Sequence, residues 1–218
     1  MNEKAGSVTF LDGHGDLPKL EISTKWSDAE IYLHGAHVTG FQKKNEPPLL
    51  FLSQVSRFQS GTAIRGGIPV IFPWFGPREG EAMHGFARIQ SWRLKEIVNL
   101  PNGAVTLCFQ LPDSPEAALM PSFKADYLVT VGEQLTVELV VTNCSADQQF
   151  TFENCLHTYF QVGDIGAVKI HGLKGTQYLD KVQNFARKTE ENNFLTIAAE
   201  TDRVYLDTKE TVLIEDQS

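Results

Sequence analysis

Apolar and polar residues alternate along several stretches of the chain, which is the pattern of a half-buried β-strand. The alternation runs through residues 29–34 and 104–111. It also runs through residues 127–131 and 135–141, which are separated by Gly132-Glu133-Gln134. The β-branched residues of this pair and its short glycine-containing loop predict a β-hairpin. Shorter segments with the same alternation lie at residues 150–153, 167–170 and 211–215.

Helical patterns are few. Residues 114–120 could form one turn, and residues 182–192 are polar enough for a loop or an exposed helix. Neither segment belongs to a regular alternation of strands and helices, so a parallel α/β sheet is disfavoured. Many short strands over more than 200 residues predict an all-β fold, a sandwich of antiparallel sheets. Because no repeat or flexible linker divides the chain, we interpret residues 1–218 as a single domain. Clusters of turn-forming residues separate the strands at 100–103, 112–116 and 143–147.

Composition and charge reduce the number of functions that the protein could have. The 218 residues carry 19 basic and 27 acidic side chains, a formal net charge of −8. An acidic surface gives no general attraction to nucleic acid or to anionic membranes, but it still allows a small local anion site. Cys108, Cys144 and Cys155 have neither disulfide nor zinc spacing, so we expect thiols in a reducing compartment. The polar N-terminus and the lack of long apolar runs predict a cytoplasmic protein.

The segment from Arg65 to Pro77 is the most unusual in the chain. It holds three prolines, three glycines and three aromatic residues within 13 positions. Proline removes backbone donors and glycine allows unusual dihedral angles, so this segment is not a plain central strand. We interpret it as a rigid, irregular wall, lining either the core or a cleft.

Arginines are concentrated in the same region, because four of the seven lie between positions 65 and 93. The planar guanidinium group binds phosphate or carboxylate oxygens in pairs, so such a cluster favours an anionic ligand. Ion pairs with Glu79 and Glu81 are the structural alternative. The four arginines are Arg65, Arg78, Arg88 and Arg93.

His157 lies in an apolar and aromatic run, where a histidine can be a structural residue or a proton donor. His34 and His37 are three positions apart in a strand-like stretch, so we expect them to point to opposite faces. His14 and His171 also lack ligands at metal-binding spacing, and no metal site is predicted. Residues 201–205, taken alone, indicate only a turn or an ion pair.

Taken together, five segments resemble the glucose-6-phosphate 1-epimerases, or hexose-6-phosphate mutarotases, of the aldose 1-epimerase superfamily. The resemblance extends from about residue 30 to the end of the chain. Two of the segments, Arg-Gly-Gly-Ile-Pro with its aromatic continuation and His-Gly-Phe-Ala-Arg, are long and specific. The five segments lie at residues 65–69, 72–77, 84–88, 156–160 and 201–205.

The resemblance implies a galactose mutarotase-like β-sandwich that interconverts the α and β anomers of a hexose 6-phosphate without cofactor or metal. His157 corresponds to the acid that protonates the sugar ring oxygen, and His84 to a histidine that hydrogen-bonds sugar oxygens. Arg65 and Arg88 correspond to the phosphate-binding arginines, and Asp202 to an acid that accepts bonds from sugar hydroxyls. Two further pocket candidates are Tyr159 and Trp74. Met83 stands where some relatives have a polar residue, and no role is assigned to it.

One feature of the family pattern is missing. The family's catalytic glutamate follows the Asp-Arg-Val-Tyr segment on a later strand, whereas this sequence stops at Ser218. We therefore expect a sandwich that lacks its last strands, and little or no catalysis by the 218-residue form. The alternatives are a non-catalytic sugar-phosphate-binding protein on the same scaffold and an epimerase of unphosphorylated aldoses. A monomer is the simplest expected state.

Overall fold

The computed structural model describes residues 6–216, and every strand pairing within that range is antiparallel. These residues form two compact units, which divide between Gln161 and Val162. The antiparallel all-β prediction is therefore confirmed. The interpretation of the whole chain as one domain stays a prediction.

The first unit contains ten strands and the second unit contains six, among the residues described. The strands of the first unit are β1 (Ser7–Asp12), β2 (Pro18–Ser23), β3 (Ser27–Tyr32), β4 (His37–Lys43), β5 (Val70–Ile71), β6 (Arg93–Asn99), β7 (Val105–Gln110), β8 (Phe123–Val131), β9 (Leu135–Asn143) and β10 (Cys155–Leu156). Those of the second unit are β11 (Lys169–His171), β12 (Gln177–Asp180), β13 (Ala186–Thr189), β14 (Phe194–Leu195), β15 (Arg203–Tyr205) and β16 (Leu213–Glu215).

Among residues 6–216, helical structure is limited to four single turns of 3₁₀-helix. They lie at His14–Asp16, Ala87–Ile89, Ala117–Leu119 and Lys181–Gln183. The turn within the predicted segment 114–120 is confirmed. Between residues 6 and 216 no helix has the length and apolar character needed to cross a membrane.

Two four-stranded sheets build the core of the first unit, in the orders β1-β2-β3-β4 and β6-β7-β8-β9. Alternating side chains of the strands face the core, as the sequence pattern predicts. On β7, Val105, Leu107 and Phe109 are fully buried, and on β3 Ile31 is as well. Burying a side chain of this size stabilises the fold by about 1.5–3 kcal/mol. The predicted hairpin is β8–β9, which closes at the Val131–Leu135 pair.

The irregular wall predicted at residues 65–77 forms only the two-residue strand β5, which pairs with β10. Val70, Ile71 and Phe72 are fully buried and anchor the wall in the core. The three prolines interrupt any longer ladder, because each lacks a backbone N–H. Residues 70–72 of the wall thus line the core, and outside β5 the wall has no regular strand structure.

The second unit contains two three-stranded sheets, ordered β14-β11-β16 and β13-β12-β15. The interpretation of residues 182–192 as a loop or an exposed helix was wrong, because β13 occupies Ala186–Thr189. Its mostly polar side chains give no strand pattern in the sequence, and the strand forms through its pairing with β12. Residues 150–153 form no strand, although they alternate, and instead Phe150 and Phe152 stack at a centroid distance of 5.5 Å.

The prediction that His34 and His37 point to opposite faces of one strand was also wrong. β3 ends at Tyr32 and β4 begins at His37, with a turn at Gly35-Ala36 between them. Both histidines are buried, and each bonds through Nε2 to a backbone carbonyl of residues 62–66. Between residues 6 and 216 no cluster of three or more His, Cys, Asp or Glu side chains could hold a metal ion.

Candidate active site

The segment that carries His157 lies antiparallel to the wall segment. The amide of His157 donates to the carbonyl of Pro69 at 3.1 Å, and that of Tyr159 donates to Gly67 at 2.9 Å. Side chains alternate along an extended chain, so Cys155, His157 and Tyr159 project from one face. The β5–β10 pairing therefore decides which residues His157 meets.

Three rings meet at this place. The ring centroids of His84 and His157 are 5.1 Å apart, and Phe75 packs against both, at 4.9 Å from His84 and 5.7 Å from His157. Both histidines are partly buried, while Phe75 is exposed. The structure thus brings together the two histidines that the sequence assigns to the site, although 73 positions separate them.

His84 is held by the loop that begins at Gly76. The Gly76 amide donates to Nδ1 of His84 at 2.9 Å, and the His84 amide donates back to the Gly76 carbonyl at 2.9 Å. An N–H group can only donate, so Nδ1 carries no proton and His84 is neutral with its proton on Nε2. His84 is therefore a hydrogen-bond donor rather than a cation.

Glu153 is a site-flanking residue that the sequence reasoning missed. Its Oε2 accepts a 3.0 Å bond from the amide of Phe75, which fixes the backbone of the residue whose ring packs against both histidines. The signal was its spacing, because Glu153 lies four positions before His157 in the sequence. Its side chain is exposed, and its visible role is to position Phe75.

Arg88 and Arg65 form a pair of cations with no carboxylate partner among residues 6–216. Burial and then the charge of Arg65 lower the pKa of Arg88, so the two guanidinium groups lie within electrostatic range of each other. Arg88 Nη2 donates to the carbonyl of Met83 at 2.7 Å, while its Nε is buried without a partner. The pair is suited to an anionic ligand.

The other two arginines of the cluster have different environments. Arg78 lies over the ring of Trp74, 4.7 Å from its centroid, and Arg93 begins β6. Within the described range no arginine of the cluster pairs with Glu79 or Glu81, so the ion-pair alternative was wrong.

The two aromatic pocket candidates differ in exposure. Trp74 is buried, packs on Phe86 and donates through Nε1 to the carbonyl of Ala82. Tyr159, by contrast, is exposed. Tyr159 is thus accessible to a ligand, whereas Trp74 supports the wall from within.

A glycine pair shapes the backbone next to Arg65. Gly66 and Gly67 have φ angles of 103° and 60°, and a Cβ on Gly67 would lie 2.3 Å from the carbonyl oxygen of Val38. Such a left-handed, closely packed backbone requires glycine. The run Arg-Gly-Gly is therefore needed to bring the chain this close to β4.

His37 supports the same turn from inside the fold. Its Nε2 donates to the carbonyl of Gly66 at 2.7 Å, and its Nδ1 is buried without a partner. Burial lowers the pKa of His37 to about 4, because the charged form cannot be solvated there. The ring is thus neutral at neutral pH and acts as a fixed support for the turn.

Asp202 lies in the second unit. Its carboxylate accepts a 2.6 Å bond from Nζ of Lys181, and both side chains are substantially exposed. Its neighbour Arg203 pairs with the buried carboxylate of Glu190 at 3.0 Å. The indicated ion pair at 201–205 is therefore present, while the sugar-binding role of Asp202 stays a prediction.

Comparison with known proteins gives concordant matches. The sequence profile described as aldose 1-epimerase matches residues 18–218. A candidate glucose-6-phosphate 1-epimerase of Escherichia coli K12 is 35% identical over 213 residues, which cover 93% of this chain and 68% of the relative. The crystal structure of a candidate mutarotase from Salmonella typhimurium matches with a TM-score of 0.85 and 34% identity, covering 97% of this chain and 70% of that one.

A more distant structure supports the fold alone. A galactose mutarotase-like protein from Clostridium acetobutylicum has a TM-score of 0.69 at 15% identity, over 96% of this chain and 77% of its own. The fold is therefore of the galactose mutarotase type, as the resemblance implied. With the family profile and the E. coli relative, these matches show that the chain belongs to the aldose 1-epimerase family, whose enzymes are isomerases that interconvert sugar anomers.

Proposed function

We propose that the substrate is a hexose 6-phosphate, with glucose 6-phosphate as the leading case, and that its α and β anomers are interconverted at the two-histidine site. The observation that carries the proposal is the Arg65–Arg88 pair, which has no carboxylate partner within residues 6–216. Arg88 donates to the carbonyl of Met83, the residue directly before His84, which supports a single site that contains the cations and the histidines. A free sugar offers no charge that would use such a pair.

The reaction requires one proton delivered and one removed. A base takes the proton of the C1 hydroxyl, the C1 carbonyl forms, and the bond between C1 and the ring oxygen breaks. The ring oxygen takes a proton from His157. Rotation about C1–C2 and reversal of these steps gives the other anomer. General acid and base groups each contribute about 10²–10⁴-fold to such a rate.

Each residue has a distinct task in this scheme. His157 is the acid, His84 donates through Nε2–H to a sugar oxygen, and Arg65 and Arg88 hold the phosphate. Because His84 is kept neutral by Gly76, a proton on His157 does not face a second imidazolium 5.1 Å away. The family resemblance assigns the base to a glutamate on a strand after residues 201–205.

Binding experiments test the phosphate site first. Calorimetric titration with glucose 6-phosphate, glucose and inorganic phosphate should rank the phosphate ester tightest and show no binding of glucose at similar concentrations. Arg65→Met and Arg88→Met should each weaken glucose 6-phosphate binding about 10- to 100-fold, the value of a charge-assisted hydrogen bond. Arg93→Met, on β6, is the matched control and should bind normally. Equal affinity for glucose, with no effect of either arginine variant, would favour the unphosphorylated-aldose alternative.

Anomer exchange tests the activity separately. Magnetisation exchange between the two anomeric protons of glucose 6-phosphate measures the rate directly. A chain that completes the site accelerates the exchange, and His157→Ala removes most of that acceleration. Unchanged exchange in His157→Ala would refute the role of His157. Tight binding without exchange by the 218-residue chain would favour the non-catalytic sugar-phosphate-binding alternative.

A further inference from the structure

Cys155 contacts the ring of His157 at its Nδ1 atom. Its Sγ lies 3.2 Å from Nδ1, within hydrogen-bond distance for sulfur. The contact follows from the fold, because Cys155 pairs with Ile71 in the β5–β10 ladder and His157 follows two positions later on the same face. The thiol is partly buried, so it is held against the ring rather than extended into solvent.

We infer that Cys155 is a positioning residue for His157, a neutral partner that holds the imidazole with Nε2 toward the sugar in both of its protonation states. The inference rests on the proposed role of His157 as the acid. Cys155 need not touch the substrate to act in this way.

The chemistry of a thiol suits this role. The S–H group can donate to Nδ1 when the imidazole is neutral, and the sulfur can accept from Nδ1–H when the imidazole is charged. Burial raises the pKa of Cys155, so the group is a thiol and not a thiolate. It therefore orients the ring without adding the negative charge that would hold the proton on His157.

A carboxylate at the same place would act differently. An acid that must give its proton to a sugar oxygen and then recover it works best when neither state is strongly favoured. A carboxylate against Nδ1 stabilises the imidazolium by charge and would make the proton harder to give up. A neutral partner avoids this cost, which is the physical reason for a thiol at position 155.

Three other ionisable groups of this region belong to the background of any titration of His157. His84 lies at 5.1 Å and is held neutral by Gly76. Glu153 bonds the Phe75 amide beside the site, and Tyr159 follows His157 on the same face. A substitution at position 155 must therefore shift the titration of His157 while the residues His84, Glu153 and Tyr159 stay the same.

The test is an NMR titration of the histidine ring nitrogens in the 218-residue chain, comparing wild type with Cys155→Ser, Cys155→Ala and Cys155→Asp. Cys155→Asp should raise the titration midpoint of His157 by about one pH unit or more, since an adjacent opposite charge favours the charged form. Cys155→Ser should keep the wild-type midpoint and ring order. Cys155→Ala should leave the ring more mobile. His171, in the second unit, is an internal control.

The activity readout separates the two proposals. In a catalytically active chain, Cys155→Ala should lower kcat about three- to tenfold with KM nearly unchanged, and serine should restore it. An unchanged His157 midpoint in Cys155→Asp, with normal folding by backbone NMR, would overturn the inference even if His157 is the acid. Conversely, the predicted midpoint shifts together with full exchange activity of His157→Ala would refute the proposed function and leave the Cys155 contact standing.

Discussion

The backbone amide of Gly76 donates to Nδ1 of His84 at 2.9 Å, and the two residues close their loop with a second bond between the His84 amide and the Gly76 carbonyl. This relationship assigns the proton of His84 to Nε2 before any ligand is considered. In the same loop His84 has a φ of 65°, a left-handed conformation that is uncommon outside glycine. His84 therefore combines a fixed proton position on its ring with an unusual backbone conformation.

Replacing His84 by asparagine should separate these two roles. Asparagine tolerates positive φ, so His84→Asn should change the free energy of unfolding by less than about 1 kcal/mol. It removes the Nε2–H donor, so we expect glucose 6-phosphate affinity to fall about three- to tenfold, measured by calorimetry. His84→Val is the contrasting variant, since a β-branched residue at this φ should also destabilise the fold. Unaltered affinity in His84→Asn would show that His84 does not bind the sugar.

The buried His37 predicts a loss of stability in acid. The unfolded histidine has an ordinary pKa of 6.5 and the folded one a pKa of about 4, so between these values only the unfolded chain binds the proton. Stability is therefore complete above pH 6.5 and falls as the pH drops toward 4. At pH 5 the loss should be about 2 kcal/mol relative to pH 7, from 1.36 kcal/mol per pKa unit. Urea unfolding at the two pH values measures it.

His37→Gln provides the control for that pH dependence. Its amide can donate to the Gly66 carbonyl but does not titrate in this range. The variant should lose this part of the pH dependence, even if its stability at pH 7 is somewhat lower. An equally steep acid loss in His37→Gln would assign the effect to other groups.

The glycine pair beside Arg65 predicts a specific steric cost. Gly67→Ala places a Cβ 2.3 Å from the Val38 carbonyl oxygen, in addition to the strain of a positive φ. Gly80→Ala shares a positive φ of 75° but meets nothing within 4 Å. The difference between the two variants therefore isolates the steric part, which should be about 1–3 kcal/mol in thermal or urea unfolding. Equal destabilisation by both would mean that the turn relaxes freely.

The second unit predicts a contrast between a buried and an exposed ion pair. Glu190 accepts from Arg203 and from the hydroxyl of Tyr205, so Glu190→Ala leaves the Arg203 guanidinium without its carboxylate and should destabilise this unit by about 3 kcal/mol. Asp202→Asn disturbs only the exposed bond to Lys181 and should cost less than about 1 kcal/mol. Hydrogen exchange of β12 and β15 amides measures both. An equal, small effect in both variants would contradict the buried network.

Asp202→Asn also tests the role that the family resemblance gives to this acid. If Asp202 accepts bonds from sugar hydroxyls, the variant should bind glucose 6-phosphate about three- to tenfold more weakly while its unfolding is nearly normal. Wild-type affinity of Asp202→Asn for glucose 6-phosphate would mean that Asp202 pairs with Lys181 and does not bind the sugar.

Strands and turns with strong local sequence patterns could be predicted from the sequence, and those with weak patterns could not. The hairpin of β8 and β9 was predicted because its alternation, β-branched residues and glycine-containing loop agree. β13 was missed because three of its four residues are polar, and only pairing with β12 makes them a strand. His34 and His37 were placed on one strand because the intervening turn has no strong sequence signal apart from Gly35.

The sequence alone determined the antiparallel all-β class, the concentration of arginines in an acidic chain, and the motifs that mark the aldose 1-epimerase family. These follow from periodicity, composition and local order, which need no partner residues. The tertiary structure decided which of these residues meet. The β5–β10 pairing brings His157 next to His84 and fixes the segment in which the Cys155 thiol contacts Nδ1 of His157. Protonation and hydrogen bonding depend on such neighbours, and neighbours distant in sequence are fixed only when the chain folds.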